Sequence, residues 1–140
     1  MTPRQIDLVQ QSWVLVAAMD PVVVGNLFYT RLFEIAPEVR ALFKHPIPEQ
    51  SKKLLTMLSF VISKLDKLGD IIGEVEQLAK RHVRYEVKAA DYNAVGQALL
   101  WTLEQGLGEH WNEEVAGAWT VCYTTLSGAM IGAAEATAVA

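Results

Sequence analysis

An all-α fold, built by residues 1–140 as one domain, is what this sequence predicts. Three observations carry that expectation. Apolar residues recur at three-and-four spacing through most of the chain, and no convincing run alternates with period two. Helix-start signals stand before those runs: Pro3, Asp20-Pro21, Pro37 and Asn112. Hydrophobic residues make up 51% and charged residues 20% of the 140, enough to bury a core. Seven or so short helices, several divided by proline corners, suit oblique packing around a pocket better than a regular four-helix bundle.

The first helix is predicted over 3–18, with Ile6, Val9, Trp13 and Val16 inward. Asp20 caps a second helix to about Ile35, which carries Gly25, Phe28, Tyr29, Leu32 and Phe33. Pro37 opens a short helix through Leu42-Phe43. Lys44-His45-Pro46-Ile47-Pro48 reads as a rigid loop, because each proline restrains itself and its predecessor. A helix over 49–67 turns Leu54, Leu58, Val61, Ile62 and Leu65 inward, with Gln50 at the mouth of that face. Gly69-Asp70 begins the helix that carries His82. Residues 87–90 link it to a helix over 91–107, with Asp91 as cap and Gly106-Leu107-Gly108 as its end. Asn112 caps a last helix from Glu113 to about Ala136.

The net charge of −4 and the absence of a basic cluster argue against nucleic acid or an anionic membrane as partner. One cysteine, Cys122, excludes an internal disulfide and fits a reducing compartment. The N-terminal residues hold no apolar signal core, so a cytoplasmic location is expected. From Val115 to Ala134 the chain is uncharged and long enough to span a bilayer. Its flanks, Glu113, Glu114 and Glu135, supply no cationic anchor, and the stretch reads as a buried helix.

Among three histidines, His82 lies on an apolar helical face with Ile71, Val75, Leu78 and Ala79. An imidazole aimed into an apolar interior is either a core histidine satisfied by hydrogen bonds or a metal ligand. The order and spacing of other elements bear on that choice. They are Ser12-Trp13, the run Leu27-Phe28-Tyr29-Thr30-Arg31-Leu32-Phe33, Pro37, Leu42-Phe43 and Gln50-Ser51-Lys52-Lys53-Leu54. Lys80-Arg81-His82, Asp91 to Gly96 with Leu99-Leu100, and Ala118-Trp119 with Tyr123 follow. In this order the chain resembles the globins over essentially its whole length, most closely the bacterial single-domain globins related to the haem domain of flavohaemoglobins.

The resemblance implies a globin fold of about seven to eight helices packed obliquely around a haem pocket. It implies haem b (iron protoporphyrin IX), held without a covalent bond, with His82 as the metal ligand. Phe43 is then the ring stacked on the porphyrin, and Tyr29 and Gln50 are the distal groups that stabilise a ligand. Phe28, Lys53, Leu54, Leu58, Leu78, Arg81, Val87, Tyr92 and Val95 complete the implied cofactor pocket. The plain alternatives are that Tyr29 and Phe43 are core aromatics and Gln50 an exposed first-turn residue. A neutral imidazole leaves one iron position open, and a glutamine amide is a poor iron ligand, so the unliganded ferrous state is expected to be five-coordinate. The Tyr29 hydroxyl and Gln50 amide can both donate to a ligand that gains negative charge on binding. Each such bond is worth roughly 1.5–3 kcal/mol.

These residues imply high-affinity reversible binding of dioxygen, with nitric oxide, carbon monoxide, cyanide, azide and sulfide as further small ligands. The favoured role is nitric oxide detoxification, by dioxygenation to nitrate, with an external reductase. The alternatives are oxygen storage or transport, and gas sensing through a partner. No G-x-G-x-x-G is present, so a flavin and nicotinamide domain is not expected within this chain.

Overall fold

A computed structural model describes residues 1–43, 46–67 and 89–139, and every regular element among them is helical. Helix α1, Pro3–Ala17, begins where Thr2 and Gln5 close a capping box. The Thr2 hydroxyl accepts from the Gln5 amide at 3.1 Å, and the Gln5 side chain accepts from the Thr2 amide at 2.9 Å. Two otherwise orphaned helix donors are thereby satisfied. Helix α2, Pro21–Ile35, follows a bend of 111°, with the Asp20 carboxylate accepting from the Val22 amide. Both starts match the sequence reading to within a residue.

A 3₁₀ turn, Pro37–Leu42, leads towards α3, Ile47–Ser63. Here the structure corrects the sequence reading: Ile47 and Pro48 belong to the first turn of α3 rather than to a loop. Proline is tolerated there because a first-turn amide has no intrahelical partner to lose. The helix also stops earlier than expected, with 3₁₀ geometry at residues 65–67. Helix α4, Ala89–Leu107, starts before Asp91, which therefore sits in the first turn instead of capping it. An acidic side chain is favourable there too, since it faces the positive end of the helix dipole. Gly108, at φ +53°, ends α4 in the left-handed conformation and opens a second 3₁₀ turn, Gly108–His110. Helix α5, Glu113–Val139, is capped by the Asn112 side chain, which accepts from the Val115 amide at 2.9 Å.

One core joins the five α-helices among the described residues. Helix α1 buries Val9, Ser12, Trp13 and Val16. The Trp119 indole of α5 donates to the Ser12 hydroxyl at 2.9 Å, and the Trp13 and Trp119 rings lie 6.0 Å apart. Trp13 in turn donates to the Ser59 hydroxyl of α3 at 3.0 Å. Each indole thus reaches a polar partner while its rings fill the core. Helix α2 crosses over α3 and α4, and α1 lies along α5. Among the described residues no single helix is long and apolar enough to cross a membrane. The uncharged stretch of α5 is not buried all round: Val115, Ala118, Trp119 and Cys122 face the core, whereas Gly117, Thr120, Thr124, Thr125 and Gly128 are exposed. Lack of charge reports small neutral residues on that outer face.

Candidate functional site

The crossing of α2 over α3 assembles the candidate site. On α2, Val24, Gly25, Phe28, Tyr29 and Leu32 are buried, the three-and-four spacing placing them on one stripe. Phe28 and Tyr29 are each only 3% exposed. The Tyr29 ring meets Phe28 edge-on at 4.9 Å and Phe43 edge-on at 5.1 Å. Phe33 lies 6.1 Å from Tyr29 and 5.8 Å from Phe43. The three phenylalanine rings form a cage around the phenol, in the tilted and edge-to-face arrangements that aromatic quadrupoles favour.

Burial pushes the Tyr29 phenol up to about 12, and no hydrogen bond offsets it. Taking a phenolate out of water costs far more than taking out a phenol, so the group stays a protonated O–H donor at neutral pH. Among the described residues its hydroxyl has no protein partner. The hydroxyl is therefore free to donate to a group that enters beside the ring.

On α3, Gln50 is half-buried in the first turn, and Leu54 and Leu58 are partly buried against the core. Val61, Ile62 and Leu65 are buried as the sequence reading expects, but in the first half of α3 the buried positions are Ser51 at 0% and Leu55 at 6% exposure. Sequence spacing alone places Leu54 and Leu58 at the centre of this face. Where α3 meets α2, Ser51 and Leu55 are buried and Leu54 and Leu58 flank them. Lys53 is exposed and pairs with Glu49 at 3.5 Å, a surface contact worth little.

Ser51 packs directly against Gly25 of α2. A Cβ there would lie 1.7 Å from the Ser51 Oγ and 2.1 Å from its Cβ. Only a missing side chain lets α2 come this near to α3. The Ser51 hydroxyl donates to the Ile47 carbonyl at 2.7 Å, so burial leaves no polar atom unsatisfied. Neither Ser51 nor the role of Gly25 emerges from the sequence reading. The available signal is a glycine in a helix interior, which costs about 1 kcal/mol against alanine and marks close approach.

Beside the cage, an open cavity of about 240 Å³ is lined by Phe33, Arg40, Phe43, Pro46 and Ile47. The Arg40 guanidinium stands 5.1 Å over the Phe33 ring. On α4, Tyr92 is buried and Val95 partly buried. The Tyr123 hydroxyl of α5 donates to the Tyr92 carbonyl, and Gly96 admits the Tyr123 ring, to which a Cβ would come within 2.6 Å. Burial raises both phenols. Leu78, Arg81, His82 and Val87 lie outside the described residues, as does His45. The structure therefore brings together Phe28, Tyr29 and Phe43, and sets Gln50, Leu54 and Leu58 on the helix that crosses them.

Comparison with known proteins agrees with this architecture. The globin family model matches residues 26–130. The anaerobic nitrite reductase AHB2 of Arabidopsis thaliana is 30% identical, over 90% of this chain and 89% of its own. The flavohemoprotein of Bordetella pertussis is 31% identical over 75% of this chain, which spans only 27% of that protein. A bacterial globin from Campylobacter jejuni superposes with a TM-score of 0.85 at 24% identity, covering 99% of this chain and 100% of its own. An engineered carbene transferase from Rhodothermus marinus superposes with 0.87 at 24% identity, covering 99% and 96%. The chain belongs to the globin family; a flavohemoprotein is among its relatives, and a bacterial globin shares its fold.

Proposed function

We propose that this globin holds haem b through His82, binds dioxygen reversibly and tightly, and detoxifies nitric oxide in the bacterial cytoplasm with electrons from a separate reductase. The observation that carries the reading is Tyr29: a buried ring, caged by three other aromatic rings, whose protonated hydroxyl has no protein partner among the described residues. Such a donor fits a group that brings its own acceptor into the pocket. When bound, the haem supplies an open iron position for dioxygen and the redox chemistry that joins it to nitric oxide as nitrate. The chain's own part is to orient and retain the ligand. Tyr29 donates one hydrogen bond and the Gln50 amide a second. Phe28, Phe43, Leu54 and Leu58 keep water out, which strengthens both bonds. Two such bonds slow ligand escape by about two or more orders of magnitude relative to an apolar pocket. Slow release suits a protein whose bound oxygen must wait for nitric oxide, and suits oxygen delivery poorly.

The test is the oxygen dissociation rate of the ferrous protein, measured by rapid mixing with a trapping ligand. Release slower than about one event per second supports this reading, a barrier of about 17 kcal/mol or more. Release tens of times faster makes storage or delivery the better one. One further reading has its own support: the match to an anaerobic nitrite reductase runs nearly the full length of both chains. Tyr29 and Gln50 would then donate to nitrite, one electron from ferrous haem and two protons giving nitric oxide and water. Nitric oxide formation from nitrite without oxygen distinguishes it.

A further inference from the structure

We propose that Gly25 and Ser51 are positioning residues: their contact sets the separation of α2 and α3 at which Tyr29 and Gln50 act on one ligand. The inference rests on the distal roles just assigned. Gly25 lies one helical turn before Tyr29 on the same buried stripe. Ser51 directly follows Gln50 and lies one turn before Leu54 and Leu55. The two helices therefore come into close contact within a turn of both donors.

The contact has no slack. Carbon atoms in contact normally sit 3.5–4.0 Å apart. A Cβ on residue 25 would stand 2.1 Å from the Ser51 Cβ and 3.0 Å from its Cα. Rotating the Ser51 hydroxyl away would break its bond to the Ile47 carbonyl and still leave the Cβ clash. The helices must part by more than about 1 Å. A displacement of that size at a ligand-orienting group can cost a hundredfold.

The experiment compares the haem-loaded parent with Gly25→Ala, Ser51→Gly and the double variant. Three readouts are taken: the oxygen dissociation rate, the C–O stretching frequency of the carbonyl complex, and the thermal midpoint. Gly25→Ala is expected to release oxygen at least tenfold faster and to raise the C–O frequency, because the Tyr29 donor retreats. Adding Ser51→Gly removes the Oγ and Cβ that clash and returns both readouts most of the way. Ser51→Gly alone removes the serine half of the contact without forcing the helices apart, so it is expected to move both readouts, but less than Gly25→Ala does. Pure packing would instead lower the thermal midpoint with release and frequency unchanged, and that result overturns the proposal. So does a double variant as fast as Gly25→Ala. Should Gly25→Ala not fold, Ser51→Cys presses the same contact more gently. Its release is expected to be at least threefold faster, and parent-like release overturns the proposal. A parent that already releases oxygen fast defeats the distal reading itself; the C–O frequencies still report whether the contact moves the pocket, and one frequency throughout defeats the positioning role.

Discussion

Tyr29 joins three properties that a surface tyrosine lacks: burial, a raised pKa and a hydroxyl without a protein partner among the described residues. Removing only that hydroxyl leaves the ring in its cage, so Tyr29→Phe isolates the donor. It is expected to speed oxygen release at least tenfold, about 1.4 kcal/mol, by rapid mixing. Unchanged release would mean that the hydroxyl does not meet the ligand. The same group makes stability depend on pH. Its folded pKa, about 12, lies above the unfolded value of 10.0. Between those values the unfolded chain loses a proton that the folded protein keeps, so stability falls as pH rises. Below pH 10 the contribution is intact. Buried Cys122, also pushed up to about 12 from 9.0, acts with the same sign and begins earlier. Urea unfolding at pH 8, 10 and 11 is expected to show this decline. Tyr29→Phe should flatten it by up to about 1.4 kcal/mol per pH unit above pH 10. A Tyr29 profile identical to that of the variant would refute burial as the cause.

At the scale of the elements, polar atoms fix how α1, α3 and α5 meet. The Ser12 hydroxyl accepts from the Trp119 indole and donates to the Leu8 carbonyl at 2.7 Å. Ser12→Ala leaves the buried indole N–H unsatisfied and is expected to cost about 1–3 kcal/mol. Denaturant unfolding with an unchanged slope checks it. Trp119→Phe should cost less on the hydrogen-bond side, because the serine keeps its own acceptor. Helix starts are largely legible in the sequence, since Asp20, Pro21 and Asn112 act within a turn of themselves. The start of α3 is not, because Pro48 looks the same in a loop and in a first turn. Only the continuation of the backbone bonds, beginning with the Gln50 amide to the Pro46 carbonyl at 3.0 Å, separates the two. Asp91 is ambiguous for a similar reason: an acidic side chain is favourable both as a cap and within the first turn.

For the whole molecule, the proposed haem would add its own contacts to a core that is mostly apolar. His82→Ala is expected to abolish or severely weaken haem retention, measured as haem per chain after gel filtration. Normal haem content would move the iron ligand elsewhere. The ferrous unliganded parent is expected to show a five-coordinate spectrum, because Gln50 offers the iron only an amide. A bound haem also adds to stability by mass action, so the loaded protein should melt above the apoprotein.

The sequence by itself determined the helical class, most helix starts and the inward position of Phe28 and Tyr29. Capping, proline geometry and three-and-four spacing act over a few residues and need no knowledge of neighbours. Tertiary structure decided which α3 residues form the centre of its buried face, and that α5 exposes an uncharged side. It also gathered Phe28, Phe33 and Phe43 around one phenol. The buried face of α3 depends on how near α2 and α3 approach. That distance is set by a missing side chain at Gly25 and a buried serine 26 positions later. No local pattern encodes such a pair: a glycine inside a helix marks a close approach, but not which residue of which helix makes it.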